Sequence, residues 1–279
     1  MISRLSGETV TVTRSKTEPN EFKSWRSYFD FRRRVLSQNR HLMDPEQSDF
    51  LAAVSASASR RVVSISRGGM FYRAQIGSDL EPHFELDANT GQQHFCFNYD
   101  VPYREERLFP LPDRATEGRA NPKGISVLYC ASDVDTAIAE MRPSVGALLS
   151  YGHFEPTRKL RIVDCTRNRM EKLSVTAQIR MIGNEPEPKV REQYVWSDID
   201  QAFSDPVLRS DDTAEYAPTQ ILAEVFRRDG FDGARYNSSY GRGKNYVFFE
   251  PMDFRILQTD IVRVTRTKVW YEHSEDGRF

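Results

Sequence analysis

Beyond residue 60 the chain breaks into short runs rich in β-branched and aromatic residues, and this texture limits its fold more than any other feature. The runs cover residues 62–65, 71–74, 95–97, 127–130, 149–154, 160–163, 246–249 and 261–269. Runs of this length and composition suit buried or half-buried strands. Two helical stretches interrupt them. Over 133–142, Val134, Ala137, Ile138 and Met141 make one apolar face, with Ser132 as the expected cap, Asp135 completing a capping box and Pro143 ending the helix. Over 218–229, Ile221, Leu222, Val225 and Phe226 face inward and Gly230 stops the helix. Strands with few, irregularly placed helices predict an α+β fold rather than a doubly wound sheet.

The first sixty residues have a different pattern. Residues 1–19 read as an extended, poorly ordered start. Phe22, Trp25 and Phe29 then recur at helical spacing. Asp44 is placed to cap a second helix, with Pro45 at its first position, Gln47 completing a capping box, and Phe50, Leu51 and Val54 as its apolar stripe. A small helical appendage over 1–60, with no chemistry of its own, is expected. The polar stretch 184–215 is expected to be a long surface excursion or lid. Trp25, Trp196 and Trp270 read as packing residues, with Trp196 also placed to cover a cleft.

Composition excludes several functions. The formal net charge is −1, without the basic excess of a protein that lives on phosphate contacts, so direct nucleic-acid binding is not expected. Arg32, Arg33 and Arg34 stand near Asp30 and read as a solvated helix face. No apolar run approaches the roughly 18 residues of a membrane span. The polar N-terminus lacks a signal-peptide core, which predicts a cytoplasmic protein. Cys96, Cys130 and Cys165 are far apart, against a disulfide framework or zinc ribbon. The five histidines form no HExxH motif or close ligand pair, so no bound metal is expected.

Three segments carry chemistry. The first places Arg73 within the apolar run Phe71-Tyr72-Arg73-Ala74. The second runs from Glu117 through Arg119, Asn121 and Gly124 to Tyr129, and on into the helix bearing Glu140. The third runs from Gly230 to Ser239 and, past Gly241-Arg242-Gly243-Lys244, to Asn245 and an apolar run. Arg119 sits in a Gly/Asn/Pro turn, Tyr129 ends a strand, and Glu140 flanks the apolar stripe of its helix. From spacing alone these three groups form either one cleft or a plain Arg–Glu salt bridge with a core tyrosine. Gly241–Lys244 lacks P-loop spacing and reads as a hairpin turn. Thr219 and Gln220 read as capping and packing groups.

The run GRANPKGISVLYCASDVDTAIAEMRP resembles the heart of the RES domain, in which a G-R-x-N turn is followed by a glycine, a strand ending in tyrosine and a helix bearing a glutamate. Those positions are Arg119, Asn121, Gly124, Tyr129 and Glu140. Ser238 and Asn245, with Ser239 as a near alternative, match the family's C-terminal block, and Arg73 matches the arginine of its opening Y-R-A strand. The resemblance covers roughly residues 70–255. It implies an ADP-ribosyltransferase-like fold of two packed, split β-sheets, so that 61–279 would be an NAD+-binding catalytic domain. It also implies NAD+ as substrate without a further cofactor, and a toxin encoded beside a helix-turn-helix antitoxin, in assemblies that are often dimer-based. The N-terminal appendage has no counterpart in minimal members, and the span between the glutamate and serine blocks is longer here.

In that reading the nicotinamide–ribose bond breaks with water or phosphate as acceptor, by a glycohydrolase or phosphorylase. Glu140 would stabilise positive charge on the ribose, in the manner of glycoside hydrolysis. Arg73 and Arg119 would take the pyrophosphate and nearby ribose. Tyr129 would stack on the nicotinamide or ribose. Ser238 would hydrogen-bond the amide or ribose, supported by Asn245. Transfer of ADP-ribose to a macromolecule, through an acceptor surface on 184–215, and a non-enzymatic nucleotide-binding module are the alternatives.

Overall fold

The computed structural model describes residues 20–167, 184–205 and 213–268. The elements in chain order are α1 (Ser27–Ser37), α2 (Pro45–Ala58), β1 (Val62–Ile65), β2 (Phe71–Ile76), β3 (Asp79–Leu86), β4 (Gln93–Val101) and the short α3 (Glu105–Leu108). They continue with β5 (Leu128–Ala131), α4 (Val134–Glu140), β6 (Leu148–Pro156), β7 (Leu160–Asp164), α5 (Pro188–Ser204), α6 (Ala217–Arg228), β8 (Gly233–Asn237), β9 (Lys244–Phe248) and β10 (Phe254–Arg263). Eight strands form one mixed sheet in the order β1-β7-β8-β9-β5-β2-β6-β10, while β3 and β4 pair apart as a hairpin. Among the described residues only β7 and β8 run parallel, and the crossover between them carries α5 and α6.

The large sheet is nearly cut in two. β2 meets β5 through the single pair Tyr72–Ala131, whereas β2 pairs along its length with β6, and β5 along its length with β9. The expected split architecture is therefore present as one sheet opened at one seam. The α+β class holds.

Helices cover one face of the β7-β8-β9 side. Trp196, Ile199 and Phe203 of α5 and Leu222 and Phe226 of α6 pack with Phe31, Val54, Val163, Ala234 and Val247 in one cluster. On the opposite face Phe71, Leu108, Phe154, Ile162, Phe248 and Phe254 form a second cluster. Each such side chain removed from water contributes roughly 1.5–3 kcal/mol. No described helix is long and apolar enough to cross a membrane.

Several local expectations hold. Asp44 caps α2 through a complete capping box with Gln47, and Gly230 follows α6 at φ +78°, a conformation that favours glycine. The Gly241–Lys244 stretch turns between antiparallel β8 and β9.

Others are corrected. α1 buries Tyr28, Phe31 and Val35, while Phe29 is exposed, because Phe22 and Trp25 precede the helix and do not set its phase. Both N-terminal helices are built into the core that holds Trp196 and Phe226. α4 is capped by Asp133, whose Oδ1 accepts from the Thr136 N–H; Ser132 Oγ instead donates to Asp133 and accepts the Lys244 N–H. The 184–215 excursion contains α5, whose Val195, Trp196, Ile199 and Phe203 are fully buried, so it is a core helix and not a lid. Its polar composition misled because Arg191, Asp200 and Ser204 are buried with it. β3 and β8 went unread, and β10 begins earlier than the 261–269 run. Residues 1–19 and Trp270 lie outside the described residues.

Candidate active site

The seam between β2 and β5 opens into a cavity of about 410 Å³. Its floor follows one register row across four strands: Tyr236 of β8 pairs with Asn245 of β9, Asn245 with Ala131 of β5, and Ala131 with Tyr72 of β2. All four line the cavity. Ala137, Glu140 and Met141 of α4 and its cap, spaced at i, i+3 and i+4, form one wall. Arg73, Arg119, Tyr129 and Tyr216 complete it.

Glu140 is the most constrained group. Ser238 Oγ and Asn245 Nδ2 both donate to its Oε1, each at 2.6 Å. Ser238 Oγ also accepts the N–H groups of Tyr240 and Gly241, which directs its proton to the carboxylate. No described donor reaches Oε2. The α4 N-terminus is tied to the same hairpin, with Gly243 N–H donating to Thr136 Oγ1. Glu140 closes a helix whose last turn has no basic residue, where a carboxylate faces the negative end of the backbone dipoles. Nothing about helix stability calls for an acid there.

The arginines are held less tightly than Glu140, and by neutral groups. Arg73 makes one long bond, Nη1 to the Tyr129 carbonyl at 3.3 Å, and its Nε is buried without an acceptor. Burial pushes its basicity down. Among the described residues no carboxylate pairs with Arg73 or Arg119, so the salt-bridge alternative for Arg119 and Glu140 does not form. Arg119 lies beside the buried Tyr236 hydroxyl, whose acidity burial weakens.

Tyr129 and Asn121 build the turn that carries Arg119. The Tyr129 hydroxyl accepts the Ala120 N–H and donates to Asn121 Oδ1, both at 2.8 Å. Asn121 Nδ2 faces the carbonyls of Thr116, Pro122 and Ile125. Gln220 Nε2 donates to the carbonyls of Gly118 and Asn121, locking the turn to α6. A Cβ at Gly118 would lie 2.8 Å from both Asn121 Oδ1 and the Tyr129 hydroxyl, so a side chain there would push apart the hydrogen-bonded pair that holds the turn. Tyr129 thus presents its ring to the cavity, and burial raises its pKa far above that of an ordinary phenol. Cys130, also in the lining, is pushed up to about 12 by burial and remains a thiol.

The structure brings Arg73, Arg119, Tyr129, Glu140, Ser238 and Asn245 together. It places Asn121 on an adjoining cavity and not on the one that Glu140 lines, and aims Ser239 away, its Oγ donating to the Ser204 carbonyl. Tyr236 and Gln75 were missed. Tyr236 sits two residues before Ser238, so strand alternation would have found it had β8 been read. A second cavity of about 360 Å³ adjoins the first and shares Arg73, Gln75 and Tyr129 with it; Arg107 and Arg114 line its far side.

The RES-domain family model matches residues 99–267, more than half of the chain. The chain belongs to the RES-domain family. The match spans Arg119, Tyr129, Glu140, Ser238 and Asn245 but not Arg73, α1, α2 or most of the β3–β4 hairpin. A search of curated proteins returned no match. Among solved structures, a chain of the M. tuberculosis MbcT-MbcA toxin-antitoxin complex is similar at 13% identity, with a TM-score of 0.37 over 75% of this chain and 92% of that one.

Proposed function

We propose that this RES-domain protein cleaves NAD+ at the nicotinamide–ribose bond. The observation that carries the reading is Arg73, a buried cation without a carboxylate partner among the described residues, at the junction of two chambers, one of which holds Glu140. An uncompensated buried cation favours an anion, and a dinucleotide carries its anionic pyrophosphate between two bulkier halves. The nicotinamide riboside half then occupies the 410 Å³ chamber. Departing nicotinamide is neutral and needs no acid. Positive charge develops on the ribose, and Glu140, fixed through Oε1 by two donors, keeps Oε2 for the ribose hydroxyls or the acceptor. Attack by water gives ADP-ribose, nicotinamide and a proton. Attack by phosphate gives the phosphorylated sugar instead. Tyr129 and Tyr72 offer rings to the nicotinamide or ribose, and Arg119 binds the ribose or phosphate side.

Transfer to a macromolecule loses its suggested acceptor surface, because the middle of 184–215 is the core helix α5. Membership of the RES-domain family supports a cytoplasmic toxin restrained by an antitoxin protein with a helix-turn-helix domain. The test follows nicotinamide release from excess NAD+, with products separated in water and in phosphate. Turnover by the wild type that collapses in Glu140→Gln and Arg119→Ala supports the reading. Equal rates in all three would sink the site assignment, and no turnover at all would leave only a nucleotide-binding module. Label retained on protein or nucleic acid would select transfer.

A further inference from the structure

The β3–β4 hairpin brings together Glu85, His94 and Cys96. One ligand atom from each, a carboxylate oxygen, an imidazole nitrogen and Sγ, lies within 4.8 Å of the others. Register explains the grouping. Glu85 stands directly opposite His94, and Cys96 follows His94 by two residues on the same face. The ladder slips beside them: His83 pairs with Phe97 but Phe84 pairs with Phe95, which leaves Cys96 as the extra residue of a bulge. A bulged residue has no cross-strand partner and its side chain is re-aimed. His83 stands on the same face. Its Nε2 is 3.8 Å from Glu85 Oε1, and its ring is stacked on Phe97 at 4.9 Å. Cys96 Sγ donates to the His94 carbonyl, at 3.7 Å.

We propose that this face of the hairpin binds one zinc-class divalent ion through Glu85, His94 and Cys96, with His83 beside the fourth position. Thiolate and imidazole select borderline-soft ions over magnesium or calcium. Zinc bonds of about 2.0–2.3 Å place tetrahedral donors roughly 3.3–3.8 Å apart, so the exposed side chains need draw in by only about 1 Å. Cys96 binds as thiolate, and its proton is released to solvent on uptake. None of the three residues lines either chamber of the cleft, so the ion clamps one strand of the hairpin to the other and takes no part in the proposed cleavage. The sequence shows only the His94-Phe95-Cys96 pair; Glu85 lies on the facing strand and joins it through register alone.

Full-length protein stripped with a chelator is titrated with Zn2+ against a chromogenic competitor, and separately with Co2+ followed by visible and near-ultraviolet absorption. One equivalent binds, and Co2+ produces a thiolate charge-transfer band. His94→Ala and Cys96→Ser each weaken binding at least about tenfold, and Cys96→Ser abolishes the band. His41→Ala, which removes another exposed histidine, changes neither. Far-ultraviolet circular dichroism of the metal-free variants matches the wild type, which separates lost ligation from misfolding. Uptake well below one equivalent, or equal affinity in the wild type and both ligand variants, overturns the site.

Discussion

The helical layer around Trp196 and the cleft at the β2–β5 seam are both buried, but they treat polar groups in opposite ways. In the layer the charges are matched, although Arg191 and Arg235 each keep a buried Nε without an acceptor among the described residues. Trp196 Nε1 donates to Ser57 Oγ, and Arg61 lies over the Trp196 ring while donating to the Arg167 carbonyl. Asp164 pairs with Arg235 at 2.7 Å, and Asp200 accepts from the Asn237 backbone and side chain. In the cleft, among the described residues, Arg73 and Arg119 pair with no acid and Glu140 keeps one oxygen without a protein donor. A closed layer holds the fold; an open set of charges is matched only when something enters. Burial alone would not have told the two apart.

The largest expected effect is in the layer. Trp196→Ala is expected to cost about 3–5 kcal/mol of stability by leaving a cavity against Phe226, read as a shift in the urea midpoint, while the turnover of the molecules that stay folded is preserved. In the cleft the reverse holds. Glu140→Gln is expected to lower NAD+ turnover by about a hundredfold or more while the thermal midpoint moves by no more than about 2–4 °C; a large loss of stability would make Glu140 structural. Arg73→Met is next: KM should rise about tenfold or more with stability unchanged or improved, because a desolvated, unpaired guanidinium is removed. Arg73→Lys should not restore KM if the ligand is gripped by the planar fork.

Asp198 is an exception within the layer, its carboxyl pushed up to about 6 by burial. The folded state therefore holds its proton more tightly than the unfolded chain. Its stabilising contribution is full below the unfolded value of 3.8 and is lost as pH rises through about 6. Asp198→Asn should then gain about 1–2 kcal/mol at pH 8 and nothing near pH 3.5, measured by paired urea titrations. The smallest effect separates two neighbours. Ser239→Ala is expected to cost about 1 kcal/mol of stability and leave kcat unchanged, whereas Ser238→Ala lowers kcat as well as stability, because its Oγ also accepts the Tyr240 and Gly241 N–H groups. The reverse outcome would exchange their roles.

Much of the site was legible because its residues lie in compact local motifs. The turn around Arg119, the strand ending near Tyr129 and the helix bearing Glu140 follow one another within a short stretch, and each depends on local propensity. Tyr236 was hidden because β8 opens on Gly233 and carries Arg235 in its middle, a pattern that does not read as a strand. α5 was hidden because burial of Arg191, Asp200 and Ser204 depends on partners distant in sequence: Ser204 Oγ donates to the Asn237 carbonyl, and Asp200 accepts from Asn237.

The sequence by itself determined the α+β class, the cap of α2, the stop after α6 and the RES-type block from Arg119 to Glu140, because capping, periodicity and turn chemistry act over a few residues. Only the tertiary structure decided that Ser238 and not Ser239 meets Glu140, that Arg119 has no acidic partner among the described residues, and that Asn121 holds a turn and lines the second chamber, not the one with Glu140. It also decided that the presumed lid is core and that Glu85, His94 and Cys96 share one face. Strand register and burial settle these points, and both are set by residues far apart in the chain.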